Sequence, residues 1–323
     1  MPSGKWRNVK RIPREGQLRN GRDATKLNCM KIGITGITGH IGRHVAALAQ
    51  QRGHEVIGFS RHPKANGEEC RPFSITEVPD VTGCDALVNL AGESVVGIWT
   101  PSKKRMIRSS RVLATRKIVD AIRSANPRPS ALVNGSATGF YGARGDAAME
   151  ETASAGAGFL AEVCVDWEDE AERARELGVR VVTLRTGMVL SPEGGALAAM
   201  LPIFRLGLGG KLGNGRQWVS WIHIEDEAAL ILAAVENKAI EGPVNATAPR
   251  PVRNEEFTKS IAAALSRPAI FWVPSLALRL AAGGFAAELL DSRRVIPAAA
   301  AKAGFAFRFP ELKPALADLL KRG

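Results

Sequence analysis

The chain has 323 residues, enough for one large domain or two moderate ones with full cores, and its 45% hydrophobic and 24% charged fractions are ordinary for a soluble globular protein. No stretch approaches the ~20 apolar residues that span a bilayer, so no membrane partner is expected. The formal net charge is +12, but residues 1–29 hold eight Lys and Arg against Glu15 and Asp23, which puts half of the excess in a short arm and leaves the rest only mildly basic.

That arm has no hydrophobic segment, so it is not a secretory signal. It is basic and acid-poor like a mitochondrial presequence, but poor in Ser and not clearly amphipathic. It reads as a disordered extension, with Met30 as an alternative start because the first good strand begins there. No nucleic-acid partner is expected. Cys29, Cys70, Cys84 and Cys164 are scattered without a CxxC pair. This argues against a zinc site or disulfide framework and points to a reducing, cytoplasmic setting.

In chain order, "MKIGIT" (30–35) predicts a short buried strand. "HIGRHVAALAQQRG" predicts a helix with Ile41, Val45 and Leu48 on one face and Gly53 as its stop. "HEVIGFS" and "DALVNLAG" (85–92) predict two further strands. A long helix is expected over about 102–125, with Ile107, Val112, Ile118 and Ile122 facing inward. "SALVNGSA" predicts a strand, 155–177 a helix, and "VRVVTLRTG" (179–187) a buried strand. After 190 come a Gly-rich loop (207–217), "WVSWIHIED" and a helix over 226–236. The remaining C-terminal stretch is helix-rich and punctuated by Pro268, Pro274, Pro297, Pro310 and Pro314. Strands that alternate with helices and are apolar throughout predict an α/β fold. The expected form is a Rossmann-type doubly wound parallel sheet with a smaller helix-rich C-terminal region on the substrate side.

"GITGITGHIG" places Gly36, Gly39 and Gly42 between the first strand and the first helix. In a dinucleotide site the first glycine permits the tight turn and the second lets backbone approach a pyrophosphate. The third allows close helix–strand packing. Thr38 and Ile41 lie within the same turn. The second strand ends in Ser60 and Arg61 where an NAD site usually carries an acid, and a hydroxyl and a guanidinium suit the 2′-phosphate of NADP. An ordinary surface arginine is the other reading of Arg61. His40 and His44 have the i, i+4 spacing of a metal pair, but no third ligand is near, and no metal is expected.

"TGITGHIG", "NLAG", "SATGFYG" and "WIHIED" resemble the landmarks of extended short-chain dehydrogenase/reductases. "LAGE", "WEDEA", "LRTGMVLSPEGGAL", "GLGGKLGNGRQWVSWIHI", "VNATAP" and "RRVIPAAAAKAGFAFRFPEL" narrow this to the atypical NAD(P)-dependent epimerase-family proteins, sometimes labelled cell-division-inhibitor-like. The match runs from Met30 almost to the C-terminus. The resemblance implies that Ser60 and Arg61 hold the NADP 2′-phosphate and that Leu90, Ala91 and Gly92 pack on the cofactor at the switch point. It implies that Arg111 reaches back to the cofactor and that Val189 lies near the nicotinamide. It divides the chain into an extension (1–29), an NADP-binding core (30–190), mixed core and substrate-side segments (191–267) and a small C-terminal domain (268–323).

Related enzymes pair a serine with Tyr-x-x-x-Lys, whose helical spacing puts both side chains on one face. Here Phe159 or Leu160 stands at the tyrosine position and Val163 or Cys164 at the lysine position, and no lysine occurs from 118 to 210. Ser136 keeps the orienting-serine position. Tyr141, the only tyrosine, reads as a loop residue more readily than as a replacement. Glu93, just after "NLAG", is a candidate base if its pKa is raised, or else a cap or a salt-bridge partner. Trp99, Trp167, Trp218 and Trp221 wall a substrate or fill the core. Arg216 and Lys211 are candidates for an anionic substrate group, although Val219 replaces the phosphate-binding arginine of nucleotide-sugar epimerases. The expected function is an NADP(H)-dependent oxidoreductase or epimerase acting on a small molecule, with Ser136, Glu93 and Tyr141 as the catalytic candidates. The alternative is a catalytically inactive NADP-binding sensor or scaffold.

Overall fold

Seven strands form one parallel sheet in the computed structural model, which describes residues 29–63 and 70–321. Apart from Cys29, the basic arm lies outside the described residues. Labelled within this sheet, the strands are β1 (Lys31–Thr35), β2 (Glu55–Ser60), β3 (Cys70–Pro72), β4 (Ala86–Asn89), β5 (Ala131–Ala137), β6 (Arg180–Thr186) and β7 (Gly242–Ala246). Their spatial order is 3-2-1-4-5-6-7, with every neighbouring pair parallel. The chain leaves β1 toward β2 and β3 and then returns to β4 on the other side. The switch point therefore lies between β1 and β4, where ligands of doubly wound sheets bind. The sequence reading does not include β3. It is three residues long and contains Pro72, and both features suit an edge strand.

The main helices are α1 (His40–Gln51), α2 (Pro101–Ser124), α3 (Phe159–Glu172), α4 (Gly195–Arg205), α5 (Ile224–Glu236) and α6 (Asn254–Ala264). α1 packs beside α5, and α2 packs beside α3. Successive strand residues point to opposite faces, and both faces are buried. Val133 and Val182 pack with Val45 and Ile231, while Leu132 and Val181 pack with Ile118 and Ile122. A strand covered on both faces has no polar side, which explains the unbroken apolar runs.

Helix ends follow local chemistry. Thr100 Oγ1 accepts from Lys103 N (3.1 Å) and Pro101 opens α2. Ile107, Ile118 and Ile122 are buried, but Val112 is only half-buried. At 3.6 residues per turn it lies about 140° around the helix from Ile107, off the buried stripe. α3 begins at Phe159 because Gly158 sits at φ +111°. After α3 come a 3₁₀ turn (Arg175–Leu177) and Gly178 at φ +79°. α5 begins two residues before the expected 226 because the His223 ring accepts from Glu225 N (3.0 Å) and caps it.

Short strand pairs stitch the C-terminal half to the core. Met188–Leu190 pairs with Trp221–His223, Gly210–Leu212 with Phe271–Val273, and Ala148–Met149 with Arg294–Val295. Leu201, Phe204, Phe257, Ile261 and Leu316 share a third apolar core. Residues on both sides of position 267 therefore contribute to one packed unit.

The turn into α1 and the helix's first turn are each closed to a side chain at one glycine. Gly36 has φ +67°, and a Cβ there would lie 2.7 Å from Leu90 O. A Cβ at Gly42 would lie 2.3 Å from Gly36 O. Gly42→Ala must displace backbone rather than a flexible side chain. It should cost about 1–3 kcal/mol in urea unfolding. A neutral effect would show that the turn is looser than this geometry.

Candidate active site

At the switch point, α1 starts from Gly39 with no capping side chain. Its first amides therefore have no side-chain acceptor and face the region where an anion is stabilised by the helix dipole. Thr38 is exposed, and Ile41 and Leu90 are half-buried. Leu90 N donates to Thr35 Oγ1 (3.2 Å), and Ala91 N donates to Asn89 Oδ1 (3.4 Å). Ser60 closes β2, and its Oγ accepts from His62 N (3.2 Å); Arg61 is exposed beside it. Val189 lies in the Met188–Leu190 strand. Arg111 of α2 comes back over the loop after β4. It donates to Glu93 O (2.9 Å) and Ile107 O (3.1 Å), and a Cβ on Gly92 would sit 3.1 Å from its guanidinium carbon.

Ser136 lies one residue before the end of β5 and is 6% exposed. Its Oγ donates to Glu168 Oε1 of α3 (2.5 Å). Glu168 accepts two bonds from Arg185 of β6, from Nε (3.0 Å) and Nη2 (2.8 Å). Arg185 Nη1 donates to Tyr141 Oη (3.0 Å), which donates to Asn245 Oδ1 (2.7 Å); Asn245 Nδ2 donates to Ile296 O (2.9 Å). The Arg185 guanidinium also stacks on Phe140, 3.5 Å from the ring centroid. A continuous buried polar chain thus links the serine to the C-terminal segment. A carboxylate is acceptor-only, so the Ser136 proton is committed to Glu168 and the free capacity of Oγ is as an acceptor.

Tyr141 has no exposed surface, and both functions of its hydroxyl are occupied within this chain. Burial pushes its pKa up. Its hydroxyl braces Arg185 and is sealed from solvent, unlike a tyrosine free to hand a proton to a substrate. Glu93 departs from the condition a general base requires. Lys103 Nζ donates to Glu93 Oε1 (2.7 Å), and that bond holds the carboxyl below its usual range. Leu160 packs against Gly139, and burial pushes the Cys164 thiol up to about 11.

The tryptophans divide by environment. Trp221 is fully buried with Nε1 on Arg250 O (3.1 Å), and Trp167 packs on Gly135 with Nε1 on Thr115 Oγ1 (2.9 Å). Trp218 lies between Arg253 and Arg294. Trp99 meets Phe159 and Phe285 beside the loop after β4. The exposed Arg216 gives its carbonyl to Arg253, and Lys211 lies near Glu255. Burial lowers the His40 pKa, and its ring packs against Gly194. Among the described residues no group of three or more His, Cys, Asp or Glu is placed to hold a metal.

Glu168, Arg185 and Asn245 escape the motif reading, although "WEDEA", "LRTG" and "VNATAP" contain them. The available signal is Arg185 itself, a charge inside a strand that reads as buried, which demands a buried acid.

The sequence profile of the NAD dependent epimerase/dehydratase family matches residues 32–246, and that of a domain of unknown function, DUF1731, matches residues 273–319. The chain is 40% identical over 296 residues to an epimerase family protein of Mycobacterium bovis, covering 88% of this chain and 96% of the relative. It is 38% identical over 304 residues to the chloroplastic SDR39U1 homolog of Arabidopsis thaliana, covering 90% and 87%. Among solved structures it is similar to human epimerase family protein SDR39U1 (isoform 2) with NADPH. That match has TM-score 0.85 and 33% identity over 90% of this chain and 99% of that one.

Proposed function

The chain belongs to the NAD-dependent epimerase/dehydratase family, and from that premise we propose that it is an NADP(H)-dependent oxidoreductase or epimerase acting on a small molecule. The observation that carries this reading is the glycine turn at the uncapped start of α1, closed to side chains and set at the switch point. Gly36, Thr38, Gly39, Ile41 and Gly42 would hold the pyrophosphate, and Ser60 with Arg61 the 2′-phosphate. Leu90, Ala91, Gly92, Arg111 and Val189 would line the rest of the cofactor site. NADPH in the human relative supports the phosphate assignment. A bound nicotinamide supplies a two-electron donor or acceptor. Four free thiols fit a reducing, cytoplasmic setting.

The chain lacks the Tyr-x-x-x-Lys pair, so the proton must travel by another route. Ser136 offers a lone pair and not a proton, because Glu168 takes its hydrogen. The ligand group over Ser136 is therefore a donor, such as a substrate hydroxyl. As that O–H bond breaks, its proton passes to Ser136 Oγ while the serine's own proton passes to Glu168 Oε1. The electron pair stays on the substrate oxygen, and Glu168 becomes the neutral acid.

Fluorescence titration of NADPH and NADH tests the cofactor half. Arg61→Ala should weaken NADPH binding about ten- to a hundredfold and leave NADH nearly unchanged. Equal losses would sink the 2′-phosphate assignment. NADPH oxidation across a carbonyl panel tests the catalytic half. The apolar Leu160 and the buried Cys164 at the dyad positions favour the second reading, a cofactor-binding sensor or scaffold. Absence of turnover across the panel would select it.

A further inference from the structure

Most of the exposed large apolar side chains belong to two segments that the fold brings together. Leu206 (75% exposed) and Leu208 follow α4, and Ile270 (80%) and Trp272 flank or lie in the Phe271–Val273 strand. Leu276 and Leu280 (80%) lie four residues apart on α7 (Ser275–Ala282), hence on one face. The Gly210–Leu212 strand pairs with Phe271–Val273, setting Lys211 opposite Trp272, and a Cβ on Gly207 would meet the Pro268 ring at 3.5 Å. The apolar surface continues to the loop after β4, because a Cβ on Gly283 would lie 3.7 Å from Ile98.

The charge of these segments is one-sided. Residues 194–224 and 257–287 contain no Asp or Glu, yet they contribute Arg205, Lys211, Arg216, Lys259, Arg267 and Arg279. Arg205, Arg267 and Arg279 are exposed. Glu255, an acid that interacts with Lys211, is already engaged by Lys259 (2.8 Å).

We propose that this face docks onto an anionic lipid surface, with Leu206, Ile270, Trp272, Leu276 and Leu280 entering the interface and the arginines meeting the headgroups. An apolar patch of this kind is seldom left bare on a monomer. Cations interleaved with exposed Leu, Ile and Trp are the pattern of interfacial membrane binding. A second copy is a poor occupant, because a two-fold contact would set the same cations against themselves. The sequence expectation of no membrane partner rested on the lack of a spanning segment. No described helix is long and apolar enough to cross a bilayer, but docking by a face needs none.

The test is co-sedimentation of the full chain with vesicles of phosphatidylcholine alone, or mixed equally with phosphatidylglycerol. Binding to the anionic vesicles should be at least tenfold stronger and should weaken with added salt. Leu276→Glu with Leu280→Glu, and separately Arg267→Glu with Arg279→Glu, should each lower it about tenfold or more. These positions are exposed, so unchanged thermal melting would confirm intact folding. No sedimentation with anionic vesicles overturns the proposal. So does sedimentation that both double variants leave untouched, since the basic arm would then be responsible. A concentration-dependent dimer that the leucine variants abolish, without vesicle binding, overturns it in favour of self-association.

Discussion

Glu168→Gln should cost about 3–5 kcal/mol of folding free energy, because it leaves the Arg185 guanidinium buried without its counter-charge. The two side chains are only 6% and 10% exposed, so solvent cannot screen the orphaned charge. Arg185→Met should be costly for the converse reason. Together the two substitutions should cost much less than their sum, since removing both charges leaves no unpaired ion. Urea unfolding of the four proteins closes the cycle, and additive losses would mean that the pair is not energetically closed. The same variants probe the serine. Ser136→Ala leaves the ion pair intact and should be mild for stability. If Glu168 accepts the serine's proton, Ser136→Ala and the Glu168–Arg185 double variant should lower kcat to a similar extent, and combining all three should add little. Besides Arg185, the ionisable side chains beside Glu168 include Cys164 and its helix neighbour Asp169. Retained NADPH affinity in every variant would separate this effect from loss of the cofactor site.

What the sequence reveals and what it hides divide along the range of the interactions involved. The alternating apolar strands and the 36–42 turn are local patterns, and the parallel sheet follows from them. The site beyond the turn is not local. Glu168 and Arg185 are 17 residues apart, and Tyr141 and Asn245 are 104 apart. Only the spatial order of β5, β6 and β7 brings them together. "SATGFYG" therefore reads correctly as a strand end but gives no hint that its serine points to an acid or that its tyrosine is sealed. Glu93 shows the same limit. Its place after β4 is legible, whereas the lysine that holds its carboxyl low comes from the first turn of α2. The short strand pairs of the C-terminal half are invisible for another reason. Two or three residues carry no periodicity.

Glu227→Gln should stabilise the protein, and increasingly so as pH rises. Glu227 is fully buried in the first turn of α5; Oε1 accepts from Thr186 Oγ1 (2.9 Å), while Oε2 is buried without a described partner. Burial pushes its carboxyl from 4.5 up to about 8, against the weaker pull of the Thr186 bond. The folded state therefore holds the proton more tightly than the unfolded chain does. Below about pH 4.5 both states are protonated and the group costs nothing. Between about pH 4.5 and 8 the unfolded chain gains by ionising while the folded protein cannot. Stability then falls by roughly 1.4 kcal/mol per pH unit from this residue, or about 3 kcal/mol by neutrality. Glutamine keeps the acceptor for Thr186 and cannot ionise. Its buried amide would lack a partner, which takes back about 1 kcal/mol. The diagnostic is thus the slope. In urea unfolding the variant should match or trail the wild type near the acid end of the window and exceed it by about 2 kcal/mol at neutrality. A difference that does not change with pH would mean that Glu227 is already ionised in the folded protein and that a partner or water reaches Oε2.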